Sequence, residues 1–386
     1  MKYYSIFFLS VLFVLPFYSC SKIEVRQLKF NLNEISSIHK SDVISDVEIY
    51  SLQDSTVTLG SIEKVELLDS IIYLQDMSTN SLHIFSLEGN HINTISGQGH
   101  GNGEYYQLND FFVDNDNKTV NLLSRLNKKI YVYDLLGRKL LNQIELPKAF
   151  VSICKSQNNY IGYMGNYTEN ADYPYNYWIM DKSFNVKGNF GKINQNIESH
   201  CSRSFMPFSF FKDNLNVIYE YSNSVKTISP SNAHEINLYE LDFGEYNCPV
   251  LTKSDFNDNN RMFKVKNTYI TNPNRCQETE HYLLFFVNAK GQNVICAYNK
   301  NGTDTHALQL DSYTDKYLFG FGNIVGVTEK HIISTVDAEE IYDCWIGRND
   351  YNDFYADYPT QVENLRKRFK NVDPSGNPFL IVYNLN

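Results

Sequence analysis

Short apolar runs alternate with turn residues from Asp46 almost to the end of the chain. Ile71-Ile72-Tyr73-Leu74, Leu82-His83-Ile84-Phe85, Phe111-Phe112-Val113, Ile130-Tyr131-Val132-Tyr133, Val217-Ile218-Tyr219, Tyr282-Leu283-Leu284-Phe285-Phe286 and Ile332-Ile333 have the aromatic and β-branched content of strands. Asp114-Asn115-Asp116-Asn117 and Asn299-Lys300-Asn301-Gly302 carry turn chemistry between them. One stretch departs from this pattern. Val362, Leu365 and Phe369 are spaced three and four apart among charged residues, which predicts an amphipathic helix over about Thr360 to Lys370. The basic run Arg366-Lys367-Arg368 is its solvated face.

An internal repeat organises the strands. Tyr73-Leu74-Gln75-Asp76 is followed by His83-Ile84-Phe85-Ser86-Leu87-Glu88-Gly89. Forty-eight positions on (137 − 89), Tyr131-Val132-Tyr133-Asp134-Leu135-Leu136-Gly137 repeats the second half of that pattern. Tyr177-Trp178-Ile179-Met180-Asp181 and Cys296-Ala297-Tyr298-Asn299 read as third strands of later units. A period of this size with several strands per unit predicts an all-β fold, a six-bladed β-propeller with four-stranded blades and one short inserted helix near the C-terminus. Blade boundaries after Pro147 are not legible. Val47 to Leu52 and Phe379 to Leu385 are β-rich ends expected to pair and close the ring, which removes exposed edges.

Gly97-Gln98-Gly99-His100-Gly101-Asn102-Gly103-Glu104-Tyr105 reads first as a phosphate-cradling loop. A nucleotide loop needs a helix after it, so that amides and dipole meet the phosphate. A strand, Phe111-Phe112-Val113, follows instead, and no Gly-Lys-Ser/Thr is present. The run therefore predicts the crossing from one blade to the next, where glycine permits positive φ and close backbone approach. With the Phe-Val-Asp strand and Ile-Tyr-Val-Tyr-Asp-x-x-Gly, it resembles NHL-type repeats. The chain as a whole resembles the six-bladed β-propeller lipoproteins of uncharacterised function abundant in Gram-negative gut bacteria. That resemblance rests on Cys20, on the Gly97 to Tyr105 crossing and on Asn377-Pro378-Phe379-Leu380-Ile381-Val382-Tyr383, and it implies a nutrient-handling envelope setting.

The address is read from the N-terminus. Lys2 begins a weak n-region, and Ile6 to Leu15 is an apolar run of signal-peptide length. Ser19-Cys20 after it resembles a lipobox, which makes Cys20 the site of lipid attachment. The expected organisation is a signal peptide over residues 1–19, a polar tether over 20–45 and the propeller over 46–386. Membrane contact is expected through the N-terminal lipid only, with the domain periplasmic or surface-exposed. A net charge of −10 provides no footprint for nucleic acid. The cysteines after Cys20 lack a CxxC pair, and most are expected to be free and buried.

Chemical motifs are sparse. Asp114-x-Asp116 and Asp255-x-Asn257-x-Asn259 begin like calcium loops but lack the glycine and the terminal acid, so both read as turns. No Gly-x-Ser-x-Gly elbow or His-Glu-x-x-His helix is present. No catalytic residue, metal or cofactor is therefore expected. Propeller topology puts second-to-third loops and blade crossings on one face. On that face Asp76, Asn80, His100, Glu104, Arg125 and Asn127 form a candidate binding set at the channel mouth. The bland reading has Asp76 and Asn127 satisfying turn amides and Arg125 pairing with an acid. Tyr173 to Trp178 and Tyr351 to Tyr358 could stack on sugars, but packing between blades explains them as well. The expected function is a ligand- or protein-binding module for a small ligand, glycan, peptide or envelope protein. The alternative is a propeller enzyme, a metal-assisted hydrolase, lactonase or lyase with its site in the channel.

Overall fold

The computed structural model describes residues 23–37, 43–97, 99, 101, 103–156, 158–169, 174–197, 206–231, 233–289, 291–309, 322–347 and 359–386. Six sheets form a ring. Blade 1 comprises Ile62–Leu68, Ile71–Asp76, Ser81–Ser86 and His91–Ile95, and blade 2 comprises Asp110–Asp114, Thr119–Ser124, Lys129–Asp134 and Leu140–Glu145. Blades 3, 4 and 5 start at Ser152, Phe208 and Asn274, each with its first strand innermost. Blade 6 is composite. Asn323–Val327 is innermost, His331–Val336 and Phe379–Leu385 follow, and Ile44–Ser51 from the other end of the chain is outermost.

Ring closure follows the expectation. Phe379–Leu385 pairs antiparallel with Ile44–Ser51, with Ile381 opposite Ile49. Asn377 adds a clasp. Its Nδ2 donates to the Leu52 and Val57 carbonyls at 2.9 Å each, and its Oδ1 accepts from the Leu59 amide at 2.8 Å. A buried amide side chain with its groups satisfied by backbone fixes the crossing from blade 6 to blade 1.

The apolar runs are continuous because each blade packs on both sides. Tyr73, Leu82 and Ile84 of blade 1 meet Phe111, Leu122 and Tyr131 of blade 2 in one cluster. Phe112, Leu123 and Ile130 on the other side of blade 2 meet Ile153, Trp178 and Met180 of blade 3. Strands buried on both faces lose the alternation of a half-exposed sheet. The core therefore lies in wedges between blades. Tyr177 and Trp178 are among its buried members, which gives that part of the Tyr173 to Trp178 cluster a packing role. Tyr173 itself and Tyr351 to Tyr358 lie outside the described residues.

One expectation is corrected. The described part of the 20–45 tether is not a free linker. Glu24–Lys29 pairs in parallel with His234–Asp242 and adds a fifth strand to blade 4, and Ser36–Ser37 does the same to blade 5. Leu28, Phe30 and Leu32 are buried, with the Phe30 ring edge-on to Phe285 at 5.2 Å. Within the strand only Leu28 is buried, too little for an alternating pattern to show among its polar neighbours. The expected C-terminal helix forms over Pro359–Phe369. Lys253–Phe256, Asn259–Thr268 and Ala338–Tyr342 are also helical. Asn259–Thr268 buries only Met262 and Val265, too few to print a helical period.

The loops divide sharply between the two ends of the ring. First-to-second and third-to-fourth connections are hairpins of two to five residues. The opposite end carries the blade crossings and second-to-third loops, including segments 243–273, 337–347 and 359–378 with their helices. These ends are termed the hairpin face and the crossing face.

Candidate functional site

The glycine run lies on the crossing face between blades 1 and 2. Gly103 alone of its described glycines has positive φ, at +89°. Gly99 and Gly101 are glycine for another reason: a Cβ at either would meet the Glu104 carboxylate, 2.1 Å from Oε2 at Gly99 and 3.0 Å at Gly101. Glu104 Oε2 accepts the Gly101 amide at 2.7 Å, so its carboxylate fills the concavity of its own loop. Tyr105 closes the turn from below, its hydroxyl donating to the Asn80 and Ile95 carbonyls at 3.0 and 3.1 Å.

The structure brings most of the expected set together. Asn80 Oδ1 accepts the Leu108 amide at 2.7 Å and its Nδ2 reaches the Tyr106 carbonyl at 3.3 Å. Asn127 Oδ1 accepts the Tyr106 amide at 2.9 Å and the Ser124 hydroxyl at 2.6 Å. Asp76 is fully buried, with Oδ1 taking the Ser78 amide and Oδ2 the Gly60 amide, each at 2.8 Å. These three side chains hold loops in place. Among the described residues no acid pairs with Arg125; its guanidinium lies 4.1 Å from the centre of the Tyr167 ring, bridging blades 2 and 3. Beside it Glu169 binds Lys128 at 2.9 Å and Lys148 at 3.7 Å. Leu126 and Tyr106 stand exposed next to it. His100 lies outside the described residues.

A central channel of about 610 Å³ was not anticipated residue by residue. Its walls come mainly from the innermost strands, including Lys64, Glu66, Asp110, Ser152, Phe208 and Gln277, with the Thr328 to His331 hairpin of blade 6 at the hairpin face. Lys64 of blade 1 binds Asp110 of blade 2 at 2.9 Å and Glu66 at 3.0 Å. Burial works against the Lys64 ammonium, but the two carboxylates outweigh it and raise its pKa above the ordinary lysine value. Asp110 reaches on to blade 3, accepting the Ser152 hydroxyl and, at 2.9 Å, the Ile153 amide. Cys154 follows on the same strand, its thiol pushed well up by burial. A serine bound to a carboxylate that already neutralises a lysine is poorly activated as a nucleophile. The arrangement is a clasp across three blades. Lys155 binds Asp114 at 2.6 Å and Asp116 at 2.9 Å, so the calcium-like spacing there cradles an ammonium. Likewise Asp255 sits in a capping box with Thr252 and binds Arg261. The pairs between blades were not readable from sequence, because the partners are 39 to 46 residues apart and carry no motif.

A family model described as a domain of unknown function, DUF4934, matches residues 23–384. Its start coincides with the strand at Glu24–Lys29. Among solved structures, a candidate exported protein from Bacteroides fragilis superposes with a TM-score of 0.71 at 16% identity, covering 94% of this chain and 99% of that one. A member of the DUF4221 family from Bacteroides vulgatus gives 0.48 at 10% identity, covering 89% and 97%. No functionally curated protein matches the sequence. The first of these likenesses supports the fold.

Proposed function

We propose that this chain, which belongs to the DUF4934 family, is a binding module of the bacterial cell envelope that takes its ligand or partner on the crossing face. The distribution of insertions supports this reading. In repeat architectures, insertions gather on the face that binds, while the other keeps minimal connections. Here both helical insertions, the glycine crossing and the Arg125–Tyr167 stack share one face, and the hairpin face offers only tight turns. A cation stacked on an aromatic ring beside exposed Tyr106 and Leu126 suits a glycan or peptide, which presents both apolar faces and anionic or amide groups.

The apolar run before Cys20 supports export and lipid anchoring, and no helix among the described residues is long and apolar enough to cross a membrane. The module would handle nutrient glycans or peptides, or a partner protein, at the envelope. The test screens the chain against polysaccharides and peptides and repeats each positive with Arg125→Ala. A drop in affinity of about tenfold is expected, since a partly desolvated stacked cation contributes roughly 1 to 2 kcal/mol. Unchanged affinity for every positive ligand retires the Arg125 patch as the site. Cys20→Ser tests the anchor: the protein should leave the membrane fraction, and retention there refutes lipidation.

A further inference from the structure

One carboxylate of the channel wall stands apart from the rest. Glu63 lines the channel and is half-buried, yet no hydrogen bond or ion pair ties it to any described residue. The other acids of that wall are all engaged. Glu66 holds the Lys64 ammonium and accepts the Val113 amide, each at 3.0 Å. Asp110 holds Lys64 and accepts the Ile153 amide, each at 2.9 Å. Glu329 accepts the Lys212 amide at 3.1 Å. A carboxylate partly withdrawn from water with no donor of its own is held at a cost, and in a native fold such a group asks for a reason.

No cation of the described chain fills the gap. Lys64 already serves Asp110, Glu66 and the Phe111 carbonyl. Lys330, the other lysine of the wall, belongs to the blade 6 hairpin at the far end of the channel. Arg275 acts on Glu63 only at longer range, and its Nε is buried away from solvent. The wall is acidic as a whole. Glu63, Glu66, Asp110 and Glu329 face only Lys64 and Lys330, and burial lowers the pKa of His331, which leaves that ring neutral. A cleft with an excess of one charge draws ions of the opposite sign.

Topology places Glu63 within the channel. First-to-second connections lie on the hairpin face, so each innermost strand starts at the crossing face. Glu63 is the second residue of Ile62–Leu68 in blade 1, and Phe208 is the first of Phe208–Phe211 in blade 4. Blades 1 and 4 are opposite in a ring of six. Glu63 and Phe208 therefore occupy facing walls at the crossing-face end, with Val151 between them at the start of blade 3 and Phe210 further in. At the other end the hairpins of blades 4, 5 and 6 are tied together, since Lys212 also binds Glu280 through its ammonium at 3.0 Å. The channel volume of about 610 Å³ falls within the range of small-molecule sites.

We propose that the crossing-face end of the channel binds a small organic cation, a primary ammonium on an apolar body, with the ammonium on Glu63 and the body against Phe208 and Phe210. An ammonium supplies the donors that Glu63 lacks, in charge-assisted hydrogen bonds stronger than neutral ones. The aromatic rings opposite offer apolar area to the body and the negative faces of their π-systems to the charge. This site is separate from the Arg125 patch and does not depend on it.

The test is isothermal titration calorimetry of the full chain with 2-phenylethylammonium, tyramine and hexylammonium. The neutral counterparts are 2-phenylethanol and hexanol, and phenylacetate is the anion. At least one amine is expected to bind saturably, with its neutral counterpart at least about tenfold weaker and phenylacetate without a saturable effect. Glu63→Gln should weaken the amine by at least about tenfold while unfolding remains cooperative. Phe208→Leu should weaken the two aromatic amines by about threefold. Should Glu63→Gln fail to unfold cooperatively, Phe208→Leu and the wild-type comparison of amine with alcohol decide. The absence of saturable binding by all three amines overturns the inference. So does amine affinity unchanged in Glu63→Gln or in Phe208→Leu, or equal affinity for amine and alcohol. If all three amines fail while Arg125→Ala still weakens a glycan or peptide, the channel site falls and the binding module stands.

Discussion

Asp110→Ala is the perturbation through which the clasp across blades 1, 2 and 3 can be weighed. The side chain of Asp110 is 6% exposed and that of Lys64 21%. Removing one member of a buried ion pair costs about 3 to 5 kcal/mol, chiefly because the other charge is stranded. Lys64 keeps Glu66 and some solvent, which places its share near the lower end, about 3 kcal/mol. The Ile153 amide also loses its acceptor, and an unsatisfied buried donor costs roughly 1 kcal/mol more. The expected loss is therefore about 4 kcal/mol. With a urea m-value near 3 kcal/mol/M, the midpoint of unfolding should fall by about 1.3 M. Lys64→Met should cost less, about 1 to 2 kcal/mol, because Asp110 retains Ser152, Ile153 and its own Phe111 amide at 2.8 Å. The double variant should fall short of the sum by about 2 kcal/mol. Additivity within about 0.5 kcal/mol would mean that Lys64 and Asp110 do not act as a unit, and the clasp would be refuted.

Further outcomes follow from the same geometry. Phe30→Ala should destabilise the propeller by about 3 to 4 kcal/mol in the same urea assay, whereas a free tether would show no effect. Gly89→Ala should cost about 2 to 3 kcal/mol in Tm-derived stability, because its φ is +86° and a Cβ would lie 2.0 Å from the Ser51 carbonyl; Gly99→Ala should cost well under half of that, since Glu104 can swing aside. His83 is bracketed by Thr94 at 2.9 Å and Thr79 at 3.3 Å, and burial lowers its pKa against the pull of Asp76. The unfolded chain therefore binds this proton first. Stability from His83 is complete above pH 6.5 and is lost as pH falls through the depressed folded value, a slope that His83→Gln should flatten in acid denaturation.

The architecture was legible where one blade repeats another cleanly. The innermost strands of blades 1 and 2 start at Ile62 and Asp110, 48 residues apart (110 − 62), which is the spacing of Gly89 and Gly137. The later blades hide their period because loops on the crossing face vary widely in length while the hairpins stay within two to five residues. The helical insertion between blades 4 and 5 breaks the pattern most. The amphipathic helix at Pro359–Phe369 was readable because Val362 and Phe369 are buried on one side of a charged sequence. The first strand, Glu24–Lys29, was missed because it joins blade 4 by parallel pairing, which no hairpin announces.

The candidate site divides along the same physical line. Residues placed by topology were found where topology puts them: Asn80, Glu104, Arg125 and Asn127 share the crossing face. Their roles were less readable, because Asn80 and Asn127 bond to the Tyr106 backbone and only the fold shows that distance closed.

The most direct test of the central claim, that the crossing face is the functional face, is photo-crosslinking in cells from one residue at a time. Leu126 and Phe263 are 67% and 73% exposed, the first on the crossing face and the second in the insertion it carries. Val186 is 41% exposed and the Asp116 side chain 83%, both at the hairpin face. Specific adducts should form from Leu126 or Phe263 and be absent from Asp116 and Val186. Adducts of equal yield from both faces, or from the hairpin face alone, would contradict the account.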